Sequence, residues 1–345
     1  MALTGKISKG GVLPPTGPSA DAVAFLTIDE ANAGQRIDNF LASKLKGVPK
    51  SHVYRVIRSG EVRVNKGRID VAYKLEMGDL VRVPPVRIAA PEENRNPSTG
   101  AAFEAKMAEK ARQSLGILFE DDALIAIDKP AGLAVHGGSG VSFGVIEALR
   151  AQRPEAKYLE LVHRLDRETS GILLVAKKRS ALTAMHSMLR GDTERMKKHY
   201  YALVKGDWAD EKRHVRSKLA KTETASGEKR VYVDERDGQE AHTIVSRVER
   251  FKIATLLDCD IRTGRTLQIR VHLSHLGFPI IGDDKYGDFA LNKVAQAVKN
   301  GGLKRMFLHA RFIEFAHPLG GQTLSIESPM PADLSRYLNF LRNIK

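Results

Sequence analysis

Two hydrophobic periods divide the first quarter of the chain. From Arg36 to Leu45 and again from Ser51 to Ile57, apolar residues recur at three- and four-residue spacing, with Val53, Tyr54 and Ile57 on one face of the second segment. That spacing predicts two amphipathic helices, separated at Gly47 and Pro49, the second capped by Ser51 and stopped by Gly60. After Gly60 the period falls to two. Val62 and Val64 alternate with Glu61, Arg63 and Asn65, and a turn at Lys66-Gly67 leads toward a further strand, with another at Gly78 to Val83.

Periodicity is lost from Pro84 to about Leu115, where Pro84, Pro85, Pro91 and Pro97 mark a linker with one short helix around Ala102 to Arg112. Strands are then expected at Ile117–Glu120, Leu124–Ile127, Leu173–Ala176, Tyr200–Val204, Arg230–Val233, Thr243–Val248 and Ile253–Cys259. A helix capped by Ser180 should place Leu182, Met185, Met188 and Leu189 in a core and end near Gly191. Many hairpin-like strands with few helices between them argue for an α+β protein with a mixed, mainly antiparallel sheet. The expected division is a disordered tail at 1–24, a small αβ domain at 25–84, a linker at 85–115 and a larger domain at 116–335.

Composition sharpens this picture. The 345 residues carry 55 Lys and Arg against 41 Asp and Glu, a net charge of +14, which favours a polyanionic partner. The excess is concentrated: residues 35–69 hold nine Lys or Arg against two acids, Asp38 and Glu61. Within that module Arg36, Lys50, Arg55, Arg58 and Arg63 are the candidate RNA-binding residues. Cys259, the only cysteine, precludes an internal disulfide and reads as a buried strand thiol. No apolar run reaches the roughly 18 residues of a membrane span, and the first twenty residues lack an apolar signal-peptide region. A cytoplasmic monomer is expected, with no membrane association.

The densest chemistry lies in His163-Arg164-Leu165-Asp166-Arg167-Glu168-Thr169-Ser170-Gly171, which runs straight into Ile172-Leu173-Leu174-Val175-Ala176. One carboxylate stands between two guanidiniums at the mouth of a strand. Positive charge nearby favours the carboxylate anion, which can serve as nucleophile or base; the same residues also suit a salt bridge in a tight loop.

This string resembles the catalytic-aspartate motif of the pseudouridine synthases, in the branch named for its A-type member. The resemblance implies that Asp166 is the essential aspartate. Four further segments agree in order. Lys129, Pro130, Gly132 and His136 match the family's opening motif, with Pro130 and Gly132 shaping a turn toward the site. Lys198, Tyr200, Ala202, Val204 and Gly206 match at alternate positions; in the family the tyrosine at Tyr200 lies against the target base, whereas Tyr201 faces the other way. Arg262 to Leu273 matches a T-G-R-x-H-Q-I-R-V-H pattern, in which the arginine at Arg270 pairs with the aspartate, lowering its pKa and fixing its rotamer. Here Leu267 replaces the usual histidine, and Thr266 is the expected helix cap. Leu308–Ala310 and Phe315–Leu319 match the C-terminal strands. The first module is similar to the S4-type RNA-binding domain over residues 34–84.

Longer strings, among them G-Q-R-I-D-N-F-L and V-H-G-G-S-G-V-S-F-G-V-I-E, resemble family members that act on large-subunit ribosomal RNA. The implied partner is 23S rRNA or a large-subunit assembly intermediate. The implied reaction breaks N1–C1′ of a flipped uridine and rejoins the base through C5, with no metal, redox cofactor or nucleotide cofactor. Asp166 could attack C1′, attack the base or remove a ribose proton. Arg164 and Arg167 are candidates for phosphate contact, with structural pairing as the alternative. His272 and His275 read as structural or solvent-facing, and the Gly137–Gly140 cluster as a rim of the RNA cleft. Two other classes fit parts of the pattern: an RNA-binding assembly factor, and an RNA glycosylase that would release free uracil.

Overall fold

A computed structural model describes residues 22–45, 48–86, 115–137, 143–190, 196–223, 229–299 and 301–344. The chain divides into two compact units, within residues 1–96 and 97–345. Residues 1–21 of the expected tail, the expected helix at 102–112, Gly47, Gly138–Gly140 and Gly191 lie outside the described residues.

In the first unit, β1 (Ala24–Thr27) is followed by α1 (Ile37–Lys44), α2 (Lys50–Arg58), β2 (Arg63–Val64) and β3 (Leu80–Val83). The strands form an antiparallel sheet in the order β1-β3-β2. Ile37, Phe40, Leu41, Val53, Val56 and Ile57 pack with Val64, Val81 and Val83, so both helices bury their apolar stripes against one sheet face. Pro49, not Ser51, precedes the first turn of α2, and no side chain caps it. Proline suits that position because its missing N–H would have no partner there. Gly60 does end α2, in the left-handed region at φ 76°. Asn65 and Lys66 are also left-handed, at φ 49° and 68°, and Val64 bridges Gly67 directly, so the turn closes on itself and the chain re-enters the sheet only at Leu80.

The second unit runs β4 (Gly116–Glu120), β5 (Leu124–Lys129), α3 (Val145–Gln152), β6 (Glu160–Leu161), β7 (Ser170–Ala176), α4 (Arg179–Arg190), β8 (Met196–Lys205), β9 (Lys212–Glu223), β10 (Lys229–Val233), β11 (Gln239–Arg250), β12 (Ala254–Ile261), α5 (Gln268–His275), α6 (Phe289–Ala297), β13 (Leu308–Ala316), β14 (Thr323–Glu327) and α7 (Ala332–Arg342). Its strands form one sheet in the order β10-β9-β11-β12-β8-β13-β7-β5-β4, with β14 on β13 and β6 on β7. The β13–β7 pair is parallel, through His309 opposite Ser170 and Ala310 opposite Gly171. The other pairs are antiparallel, so the sheet is mixed and mainly antiparallel.

The apolar run of β7 has no polar face because the strand is buried on both sides. Leu173 and Val175 join a core that includes α3 and α7, whereas Ile172, Leu174 and Ala176 join a second core beneath α4. α4 begins at Arg179, which places Ser180 inside its first turn instead of at the cap. Met185 is fully buried, while Leu182, Met188 and Leu189 are only partly covered. The C-terminal helix α7 carries the unit on to Arg342. Among the described residues no helix is long and apolar enough to cross a membrane.

Candidate active site

Asp166 sits in the loop between β6 and β7, and the loop is pinned at several points. Thr169 N donates to Asp166 O (3.1 Å) and Gly132 N donates to Arg167 O (2.8 Å). Leu165 plugs the core below the loop. Lys129, fully buried at the end of β5, directs Nζ to the carbonyls of Pro130 (2.8 Å), Leu133 (2.8 Å) and Arg167 (3.0 Å). It therefore ties the turn after β5 to the residue next to Asp166. Burial pushes its amine down to about 7. His163 accepts a hydrogen bond from Leu174 N (3.1 Å), and burial holds its imidazole down at about 4, in the neutral form.

Gly171 completes the pinning. It lies at φ 106°, and a Cβ there would stand 2.7 Å from the Ala310 carbonyl carbon and nearer still to its oxygen. The parallel β7–β13 pairing that anchors the loop therefore requires glycine.

Asp166, Tyr200 and Arg270 line a single cavity of about 120 Å³, together with Arg164, Ile261, Leu267 and Leu308. β8 brings Tyr200, which is 8% exposed; burial and the neighbouring Asp166 both push its phenol pKa upward, so it is a neutral hydroxyl at physiological pH. Tyr201 lies on the opposite side, beneath the Arg311 guanidinium at 4.7 Å.

α5 brings Arg270, whose main partner the sequence reading missed. Its Nε and Nη2 donate to the two oxygens of fully buried Asp283, each at 2.7 Å, and Nη2 also reaches Asp284 at 3.4 Å. Nη1 remains 3.7 Å from Asp166 Oδ2. Asp283 in turn accepts from Lys285 N and Tyr286 N, so a turn fixed by backbone amides holds the guanidinium. The one available signal was Gly282-Asp283-Asp284-Lys285, a turn-forming cluster with two acids.

The expected fall in the Asp166 pKa is corrected. Burial raises it above the usual carboxylate range, against the opposing pull of Arg270, Arg164 and Lys129. Flanking arginines are visible in a sequence, whereas desolvation by the folded surroundings is not. Arg167 pairs with the adjacent Glu168 (Nε–Oε1 3.0 Å). A second, polar cavity of about 300 Å³ opens beside Asp166, and Arg167, Arg230 and Lys285 line it with Asp284. Arg230 and Lys285 were not among the candidates read from the sequence.

Thr266 does not cap α5. The residue before the helix is Leu267, left-handed at φ 57°, with no side-chain cap. Gln268 instead organises this end: its Oε1 accepts from Thr263 Oγ1 and Arg265 N, and its Nε2 donates to His242 O and Thr243 Oγ1. His272 is buried against Thr243 Oγ1 at 3.0 Å. Among the described residues no group of three or more His, Cys, Asp or Glu is placed to hold a metal ion.

In the first unit the candidate RNA-binding residues divide between two faces. Lys50, Arg55 and Arg58 lie exposed on α2, with Arg55 against His52 Nδ1 (3.1 Å) and Arg58 over Tyr54. Arg36 is held by Asp38 in a two-point pair at 3.1 and 2.8 Å. Arg63 alternates with buried Val64 and so belongs to the sheet face away from the helices.

Comparison with known proteins agrees with this geometry. The RNA pseudouridylate synthase family matches residues 123–275, and the S4 domain matches residues 35–81. The chain belongs to the RNA pseudouridine synthase family, with an S4 domain in its first unit. It is 52% identical over 324 residues to ribosomal large subunit pseudouridine synthase C of Pasteurella multocida (strain Pm70), covering 94% of this chain and 95% of that protein. It is 51% identical over 329 residues to the protein of the same name from Escherichia coli (strain K12), covering 95% and 98%. Among solved structures, human RNA pseudouridylate synthase domain containing 4 superposes with a TM-score of 0.54 at 25% identity, over 70% of this chain and 97% of that one.

Proposed function

We propose that this protein isomerises uridine to pseudouridine in 23S ribosomal RNA, free or within a large-subunit assembly intermediate, as a cytoplasmic enzyme. The observation that carries the reading is the meeting of Asp166, Tyr200 and Arg270 from three separate elements around one cavity, in a chain whose relatives are named as large-subunit pseudouridine synthases.

The reaction breaks N1–C1′ and forms C5–C1′; the base loses its C5 proton and gains one at N1, with no net oxidation. Attack on C1′, attack on the base and removal of a ribose proton all begin from an ionised Asp166. Nη1 of Arg270 supports that anion without enclosing it, because Asp283 occupies the other two nitrogens. Tyr200, kept neutral, provides an aromatic wall and a hydroxyl rather than a preformed phenolate. The uridine must leave its stack to arrive there, at a cost of a few kcal/mol; cations of the S4 domain and of Arg164, Arg167, Arg230 and Lys285 around Asp166 offset it through phosphate contact.

Tritium release from 23S rRNA carrying C5-tritiated uridine tests this, with wild type and Asp166→Asn compared and the product nucleosides separated. Release by wild type alone, with pseudouridine formed, is expected. Free uracil would indicate a glycosylase, and an active Asp166→Asn would overturn the role of the aspartate.

A further inference from the structure

Among its described residues, the S4 domain covers one face of its three-stranded sheet with helices and places none over the other. Strand register sets Phe25 opposite Arg82, and Arg82 opposite Arg63, so three side chains form one rung across that other face. Phe25 is 61% exposed and Leu80, on the same face, 41%. Both would be poor choices for a sheet meant only to meet water, since burying an aromatic is among the larger apolar gains available to a small domain. A groove of about 730 Å³ lies here, lined by Phe25, Gly60, Arg63, Lys66, Leu80 and Arg82.

Charge indicates what fits the groove. Arg63, Lys66 and Arg82 line it against a single acid, Glu61, whose Oε1 already accepts from Ser59 Oγ at 2.7 Å. The rim is also rigid. Lys66 occupies the second of two left-handed turn positions, and Asn65 fastens that turn to β3 by donating to Asp79 Oδ1 (2.7 Å) and accepting from Leu80 N (2.9 Å). An exposed aromatic ring on this sheet face, bordered by Lys66 and by Arg63 and Arg82, which donate to the carbonyls of Gly60 (3.2 Å) and Glu61 (2.6 Å), matches an unpaired nucleotide: the base stacks on the ring and the phosphates meet the cations. A hydrophobic protein partner would match Phe25 and Leu80 but would leave the cations without counter-charge.

We propose that this face is a binding platform for single-stranded RNA, with a nucleobase stacked on Phe25 and its flanking phosphates on Arg63 and Lys66. It is separate from the helix face that carries Lys50, Arg55 and Arg58. The choice of RNA rests on the function proposed above; the geometry of the platform does not.

The test uses the full-length protein and a labelled single-stranded uridine octamer, with an RNA duplex of similar length as control. Phe25→Leu should weaken octamer binding about tenfold, in keeping with roughly 1–3 kcal/mol per stacked base, with its salt slope and its duplex binding unchanged. Phe25→Trp should retain affinity, and because Trp208, the only native tryptophan, is buried, quenching of the new indole by the octamer reports stacking directly. Arg63→Gln should lower the salt slope by about 0.7. Wild-type affinity in Phe25→Leu, an unquenched new indole in Phe25→Trp at saturating octamer, or a wild-type dimer that Phe25→Leu converts to monomer would each overturn the platform. Tritium release keeps the two proposals apart: octamer quenching without release in wild type would reject the isomerase and keep the platform, and release without quenching would do the reverse.

Discussion

Arg270 gives Asp283 two of its nitrogens at 2.7 Å and leaves Asp166 the third, at 3.7 Å. The asymmetry has a chemical sense. A carboxylate gripped by a two-point guanidinium pair is a weak nucleophile and a weak base, because both oxygens are engaged. Asp283 takes that grip and fixes the guanidinium plane, so Asp166 feels the positive charge while its oxygens stay available. The cost is visible in its raised pKa: one longer contact, even with Arg164 and Lys129 nearby, does not offset burial.

Substituting Arg270 by Gln should therefore act through the protonation of Asp166 as well as through geometry. Without the charge, the Asp166 pKa rises further, and the acid limb of the single-turnover rate moves to higher pH. The neutral-pH rate should fall by about 100-fold or more, the scale of loss for a misplaced reacting group, and recover partly as pH rises. A uniform loss with an unmoved acid limb would show that Arg270 does not set the ionisation of Asp166.

Gly171 offers a test that leaves every reacting side chain chemically unchanged. In Gly171→Ala the new methyl must enter the Ala310 carbonyl from a left-handed backbone, which forces β7 away from β13. A destabilisation on the order of 3 kcal/mol is expected from overpacking and backbone strain together, measured by urea unfolding. Because the displaced strand begins four residues after Asp166, turnover should fall even where the variant is fully folded. Native stability in Gly171→Ala would show that the two strands can separate freely.

Local signals explain why parts of this architecture are legible in the sequence and others are not. α1 and α2 bury one stripe each, so their period survives in the residues. β9 hides its nature: only Val215, Ser217 and Leu219 are buried, while Lys212, Arg213, His214 and Arg216 are exposed, a polar run that reads as loop. The segments bearing Asp166, Tyr200 and Arg270 stand out by motif, but Asp283 does not, because what makes it a partner is a turn that returns to α5 in space. The reversal at Asp166 has the same origin: its neighbours in sequence are cations, whereas the burial that raises its pKa comes from distant segments brought around it, among them Tyr200, Ile261 and Leu308.

Lys129 links stability to pH in a direction opposite to that of a lysine held in an ion pair. Its amine has a pKa of about 7 in the folded protein against 10.5 when unfolded. Below about pH 7 both states are protonated, and the group adds no slope. Between about 7 and 10.5 the unfolded chain holds a proton that the folded chain has shed, so stability rises with pH by up to ~1.4 kcal/mol per unit; above 10.5 the slope vanishes again. Lys129→Met should lack this rise, so wild type minus variant, measured by urea unfolding at pH 6.5, 8 and 9.5, should grow with pH. The same substitution removes the link from Lys129 Nζ to the Arg167 carbonyl, while Gly132 N still donates to that carbonyl. The expected kinetic signature is a lower kcat with little change in KM for RNA, since Lys129 is fully buried and has no surface with which to meet it. Parallel pH profiles for the two proteins would show that Lys129 does not carry the linkage, and a change confined to KM would show that it does not position the loop.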